Sequence, residues 1–158
     1  MTETERDFSQ IVKENKSTIY TVCYMFSNDE DEVNDLFQDT LVNLWKGYES
    51  FRGESSVSTW IYRVAMNTCI SADRKKKRRS EERLTIDINP YEDTDEDSRQ
   101  VQQLHSLIGK LGLVDRALVL LWLENMSYDE IGNILGISAK NVSVKLVRIK
   151  EKLKVLNG

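Results

Sequence analysis

Residues Met126–Leu153 read MSYDEIGNILGISAKNVSVKLVRIKEKL, and this stretch decides the fold. Ser127-Tyr128-Asp129-Glu130 fits the capping box S-x-x-E, in which each end of the motif satisfies a backbone donor of the other. The helix started there ends at Leu135-Gly136, where glycine takes the left-handed position after the last turn. Ser138 caps a longer helix that continues to about Val155, with Val142, Leu146, Ile149 and Leu153 facing inward at helical spacing. A short helix, a glycine turn and a longer helix make a helix-turn-helix.

In that arrangement the second helix enters the major groove with its N-terminal half against base edges. The outward positions are Lys140, Asn141, Ser143, Val144, Lys145, Val147 and Arg148. Asparagine pairs with adenine, and arginine or lysine with guanine. Outward Val144 and Val147 are odd for a solvated face but natural against thymine methyls. The plainer reading is an αα-hairpin with a basic surface. Capping box, glycine turn and basic face together favour DNA.

Two further helices precede this pair. One covers about Arg99 to Lys110, with Val101, Leu104, Leu107 and Ile108 inward. The other covers about Val114 to Asn125, and its apolar run Ala117–Leu123 implies burial on most sides. Upstream, Ser80–Ser98 loses all periodicity and collects acidic residues around Pro90, which marks a flexible acidic linker. The chain therefore divides into a domain at 1–80, a linker at 81–98 and a domain at 99–158.

The first domain opens with a helix from about Asp7 to Phe26, followed by a break and cap at Ser27-Asn28-Asp29. A second helix, about Glu30 to Tyr48, carries a core stripe of Val33, Leu36, Phe37, Thr40, Leu41, Leu44 and Trp45. Asp35, Gln38, Asp39 and Val42 form a second stripe facing outward. Such acidic stripes are ordinarily solvated faces; the functional reading is a docking surface for a basic partner.

Next comes FRGESSVSTWIYRVAMN at Phe51–Asn67. A loop around Ser50–Ser56, closed by Ser55 or Ser56 as cap, leads into a helix from about Val57 to Lys77. Val57, Ile61, Val64, Ala65, Thr68 and Ala72 turn inward. Thr59, Tyr62, Arg63, Met66, Asn67 and Arg74 line the other side, and Trp60 joins them on the outer face. Aromatic planes beside an asparagine suit a surface that unstacks and holds a nucleobase. The helix runs into Arg74, Lys75, Lys76, Lys77, Arg78 and Arg79, six consecutive cations. They are a solubilising run or, next to such a helix, a contact to the DNA backbone with a log-log salt slope of roughly −5.

Composition agrees with an all-α chain of two small domains. Of 158 residues, 40% are apolar, only one is proline and seven are glycine. The net charge of −4 excludes a uniformly basic DNA coat, and charge is instead segregated along the chain. Cys23 and Cys69 each sit in an apolar helical pattern without metal-ligand spacing, as buried free thiols of a reducing cytoplasm do. No cofactor or metal is suggested. The polar start MTETERDF is no signal peptide, and the longest apolar run is too short to span a bilayer. The expected location is cytoplasmic, without membrane insertion.

Three segments together resemble a known family. Asp35–Lys46 (DLFQDTLVNLWK), Phe51–Thr68 (FRGESSVSTWIYRVAMNT) and Met126–Leu153 are similar, in order and spacing, to the extracytoplasmic-function group of bacterial RNA polymerase sigma factors. The resemblance covers region 2 at about residues 7–80 and region 4 at about 99–155. It implies a non-enzymatic promoter-specificity subunit that recognises the −35 and −10 elements and nucleates melting. Asp35, Gln38, Asp39 and Val42 match the surface that docks on the clamp helices of the polymerase β′ subunit, and the β flap is a further implied partner. Phe51, Gly53, Glu54, Ser55, Ser56 and Asn67, with Trp60, Tyr62 and Arg63 nearby, match the pocket for a flipped non-template base of the −10 element. Lys140–Arg148 match the −35 reader. An anti-sigma factor is the implied regulator. The chain departs from the family pattern at Asp39, where Glu is commoner, at Gly112–Asp115, which replaces Leu-Pro-Pro, and at Ser143-Val144, where a more polar pair is usual.

Two other classes of function compete. A stand-alone helix-turn-helix regulator would need neither the aromatic loop nor the docking stripe. A nuclease built on the acidic cluster and His105 would need carboxylates paired on one helix face beside a phosphate-gripping loop, and the sequence has no such pair.

Overall fold

The computed structural model describes residues 2–51, 56–79 and 96–157, with backbone only for 74–79, 96–98 and 156–157. The expected acidic linker falls almost wholly outside the described residues. Seven helices and no strand occur among them, so the chain is all-α. It divides into two compact units, Met1–Ile88 and Asn89–Gly158.

Side-chain caps set the helix boundaries of the first unit. Helix α1 spans Glu3–Met25 and begins a turn earlier than its apolar stripe, because the Thr2 hydroxyl accepts the Glu5 N–H at 3.1 Å. Ser27 and Asp29 turn the chain: the Ser27 hydroxyl accepts the Asp29 N–H at 3.1 Å, and Asp29 Oδ1 accepts the Asp31 N–H at 3.0 Å. Helix α2 follows at Glu30–Phe51, with an acidic first turn that complements its macrodipole. It runs through Ser50 to Phe51, where the sequence suggested a loop. Helix α3, Val57–Arg79, is capped by Ser56, whose hydroxyl accepts the Thr59 N–H at 3.1 Å.

Each of these three helices packs on the other two. Ile19, Cys23, Val33, Leu44, Ile61, Ala65 and Met66 are nearly or fully inaccessible and form the core. Thr40 is buried among them, and its hydroxyl donates to the Leu36 carbonyl at 2.7 Å, which satisfies it without breaking the helix. The two cysteines are free and buried. Cys23 Sγ lies 3.8 Å from Thr40 Oγ1. A hydrogen bond with Cys69 draws the Cys23 thiol below its ordinary pKa, against the opposing effect of burial.

The second unit holds α4 (Glu96–Gly109), α5 (Leu113–Leu123), α6 (Tyr128–Leu135) and α7 (Ala139–Asn157). Ala117–Leu121 are all buried, as the unbroken apolar run required, while Leu123 is 45% exposed. Val101, expected inward, is 40% exposed, because Ile108 rather than the start of α4 anchors that helix. Arg116 fastens the α4–α5 turn by donating to the Gly109 and Leu111 carbonyls at 3.0 and 3.1 Å. Asn125, at φ 61°, takes the left-handed conformation that stops α5.

Candidate nucleic-acid interface

The helix pair α6–α7 is built by three local devices. Ser127 accepts the Glu130 N–H at 3.1 Å, and its hydroxyl donates to Glu130 Oε1 at 3.0 Å. The carboxylate thus closes the cap onto the serine side chain rather than onto a backbone N–H. Gly136 adopts φ 74°, and its N–H and that of Ile137 both bond the Gly132 carbonyl, at 2.8 and 3.0 Å. Ser138 accepts the Asn141 N–H at 3.1 Å and starts α7. Val142, Leu146 and Ile149 are buried, which fixes the rotation of α7. Lys140, Asn141, Val144, Val147 and Arg148 are exposed, and Ser143 and Lys145 are half-buried. The face expected to read DNA is therefore the open face.

In the first unit, Asp35, Gln38, Asp39 and Val42 are all exposed along α2. A groove of about 490 Å³ lies between α2 and α3, lined by Asp39, Val42, Asn43 and Lys46 from one helix and Val64, Asn67 and Ser71 from the other. Asn43 Nδ2 donates to Thr68 Oγ1 at 2.9 Å, and Thr68 donates in turn to the Val64 carbonyl at 2.7 Å. The first of these bonds ties the two helices at the groove, and the second, within α3, holds the Thr68 hydroxyl in place to accept it. Asp39 and Val42, read as part of a docking stripe, and Asn67, read as part of a base pocket, thus line one cleft. Asn43, Lys46 and Ser71 were not singled out from the sequence. Their signal was present, since Asn43 follows Asp39, Lys46 follows Val42 and Ser71 follows Asn67, each by one helical turn.

Trp60 and Tyr62 are not on an outer face. They are 7% and 6% exposed, and Met66 is wholly buried. Helix α3 packs against both α1 and α2, so it buries a wide arc that takes in Tyr62, Met66 and Cys69 at helical spacing as well as the expected stripe. Phe51, the last residue of α2, stacks on Trp60 with ring centroids 4.7 Å apart and planes at 25°. Tyr48 also meets Trp60, at 6.2 Å, and Phe8 bridges Tyr48 and Trp45 at 5.4 and 5.1 Å. One face of Trp60 is therefore filled by protein. Thr59, Arg63, Asn67 and Ser71 follow one another at i, i+4 and stay on the accessible side of α3, with Asn67 and Ser71 exposed. Gly53, Glu54 and Ser55 lie outside the described residues, as do the side chains of Arg74–Arg79. Among the described residues no helix is long and apolar enough to cross a membrane.

Comparison with known proteins bears on both units. Sigma-70 region 2 matches residues 11–79, and Sigma-70 region 4 matches residues 101–153. The SigW sigma factor of Bacillus subtilis is 30% identical over 162 aligned positions, covering 93% of this chain and 87% of SigW. The chain belongs to the extracytoplasmic-function RNA polymerase sigma factors.

The α1–α3 unit is accordingly region 2 and the α4–α7 unit region 4. SigG of Mycobacterium tuberculosis is 38% identical over 77 residues, 49% of this chain, and the match spans only about a fifth (21%) of SigG's own length. In structure, the sigma factor RpoE of Bartonella quintana, solved in complex with the anti-sigma factor NepR, superimposes with a TM-score of 0.74. That match is 23% identical and covers 96% of each chain, which establishes a shared fold.

Proposed function

We propose that this chain is the promoter-specificity subunit that joins core RNA polymerase, places it on −35 and −10 elements and starts strand opening. The observation that carries this reading is the α2–α3 groove, where Asp39 and Asn67 line the same cleft, together with the exposed face of α7 in the same chain.

Asp35, Gln38, Asp39 and Val42 present an acidic, accessible surface to the β′ clamp helices. Phe51, the 53–56 segment, Arg63 and Asn67 take the extruded non-template base, with Trp60 as the buried floor on which Phe51 stacks and Tyr62 buried in the core of the unit. Extruding a base costs a few kcal/mol, and a stacking contact returns about 1–3 kcal/mol. Opening is therefore close to balance, so only sequences that supply a favourable base at the right place melt. The cations at Arg74–Arg79 bind the backbone, and α7 anchors the upstream duplex through Lys140–Arg148.

The polymerase supplies all covalent chemistry, and the chain acts in the cytoplasm where that enzyme works. An anti-sigma factor that covers the polymerase-facing surfaces is the fitting regulator. The acidic stretch of sequence at 81–98 suits, by its charge, a channel that otherwise carries nucleic acid.

Run-off transcription with core polymerase tests the reading. Asp35→Ala/Asp39→Ala should lose core binding. Asn67→Ala should bind core normally and open promoters poorly, and a normal open-complex yield from it would contradict the base-pocket role.

A further inference from the structure

Aromatic rings recur at every third residue toward the end of α2. Trp45, Tyr48 and Phe51 form a row that winds round its last two turns. Rings from the two neighbouring helices interleave with that row. Phe8 of α1 meets Trp45 and Tyr48 edge-on, at 5.1 and 5.4 Å. Trp60 of α3 meets Tyr48 at 6.2 Å and stacks on Phe51 at 4.7 Å. Rings from three helices thus make one continuous series that ends on Phe51.

This series is not what closes the core. Ile19, Leu44, Ile61 and Met66 are 0–1% exposed, whereas Trp45 is 46% exposed and Phe8, Tyr48 and Phe51 are half-buried. It holds a weak helix end instead. Gly47 lies within the same two turns, and glycine is among the poorest helix formers. A Cβ there would meet the Trp60 indole at 3.9 Å, an ordinary contact, so lack of space does not require the glycine. No cation stands in the last turn to balance the negative pole of α2. Ring pairs in edge-on and stacked geometry supply the support that the local sequence of α2 lacks.

We infer that Phe8 and Tyr48 are positioning residues for base capture: they clasp the end of α2 between α1 and α3, so that Phe51 stays seated on Trp60 and offers its ring to the extruded base. This rests on the reading of Phe51 as part of the base pocket and adds the residues that hold it there. Without the clasp, α2 unwinds back toward Gly47, Phe51 leaves the Trp60 ring, and the extruded base loses its stacking partner. Both residues act through Phe51.

The experiment uses holoenzyme assembled from the full chain and core polymerase. Promoters are selected from a pool randomised at the −35 and −10 elements, and the non-template strand of the winning −10 element is prepared as a single-stranded oligonucleotide. An abasic residue is walked along it, which removes one base at a time and keeps the backbone charge. In wild type, binding should fall roughly tenfold at the captured position, the scale of one base–aromatic stack. Phe51→Ala identifies that position by abolishing the penalty there. Tyr48→Leu and Phe8→Leu should each reduce it to about twofold or less, as loss of the stack requires, while Tyr48→Phe keeps it. The penalty is a ratio measured on one holoenzyme preparation, so a variant that is only less stable, or binds core less well, leaves it unchanged. If Tyr48→Leu does not fold, Phe8→Leu decides alone, its half-buried ring lying near the start of α1. A penalty of wild-type size in either folded leucine variant, or its loss in Tyr48→Phe, overturns the clasp and leaves the base pocket standing. No position-specific penalty in wild type overturns the pocket and the clasp together.

Discussion

A Cβ placed on Gly132 would stand 2.5 Å from the carbonyl oxygen of Ile137, closer than real side chains come to backbone. The same Gly132 offers its own carbonyl to the N–H groups of Gly136 and Ile137. The turn between α6 and α7 thus folds back onto the helix that precedes it, and only a residue without a side chain fits. Because the obstructing atom is backbone, no rotamer relieves it. Gly132→Ala should destabilise region 4 by about 1–3 kcal/mol and displace α7. Thermal unfolding followed by circular dichroism, with −35 duplex binding, checks this. Gly136→Ala should cost about 1–2 kcal/mol through its positive φ alone, with the turn otherwise intact.

Trp60 separates structural from functional aromatics. It is 7% exposed and stacked under Phe51, so Trp60→Ala should cost about 3–5 kcal/mol and lower the melting temperature of region 2. Asn67→Ala, at an exposed position, should leave that temperature within a degree or two. Differential scanning calorimetry on both variants distinguishes them. Equal stability losses would mean that the groove face of α3 is not open in solution.

The Asn43–Thr68 bond, 2.9 Å long, ties α2 to α3 at the mouth of the groove. Asn43→Ala should cost only about 0.5–1.5 kcal/mol, as a single part-exposed hydrogen bond does. Its larger effect is expected on promoter opening, through the spacing of the groove walls. Thr68→Val should reproduce the opening defect, since it removes the acceptor while keeping the shape. Permanganate footprinting of open complexes at matched holoenzyme concentration provides the check.

The thiol pair gives a pH-linked prediction. The Cys69 hydrogen bond lowers the pKa of Cys23 in the folded protein. Between the folded and unfolded values the unfolded chain holds a proton that the native state has released, so stability from this pair rises with pH and falls away below the folded value. Cys69→Ala removes the partner, and the difference in urea midpoint between pH 7 and pH 9 should shrink relative to wild type. Both thiols should also resist iodoacetamide in the native protein, given their burial, and react fully once it is unfolded. An unchanged pH response in Cys69→Ala would detach Cys69 from the effect.

The α6–α7 pair was legible because its determinants are local. Ser127, Gly136 and Ser138 each act within a few residues of themselves, and the spacing of Val142, Leu146 and Ile149 fixes which face of α7 is open. Helix α3 was not legible in the same way. Its burial of Tyr62 and Met66 depends on contact with two other helices at once, which a single-stripe reading does not anticipate. Phe51 looked like a loop residue because Gly53 follows closely. It closes α2 instead, where its ring gains the Trp60 stack. Gly132 carries no local signal, because nothing in its neighbours marks the carbonyl that returns from Ile137. The groove shared by Asp39 and Asn67 needed the register of α2 against α3, which no single motif carries.

The most direct test adds the purified full chain to sigma-free core RNA polymerase and measures run-off transcripts from a promoter carrying the selected −35 and −10 elements. The account predicts a stable complex and a single start site, both lost in Asp35→Ala/Asp39→Ala, and in Asn67→Ala a bound but largely closed promoter. A chain that fails to bind core polymerase, or transcription that starts at the same sites without it, would contradict the account.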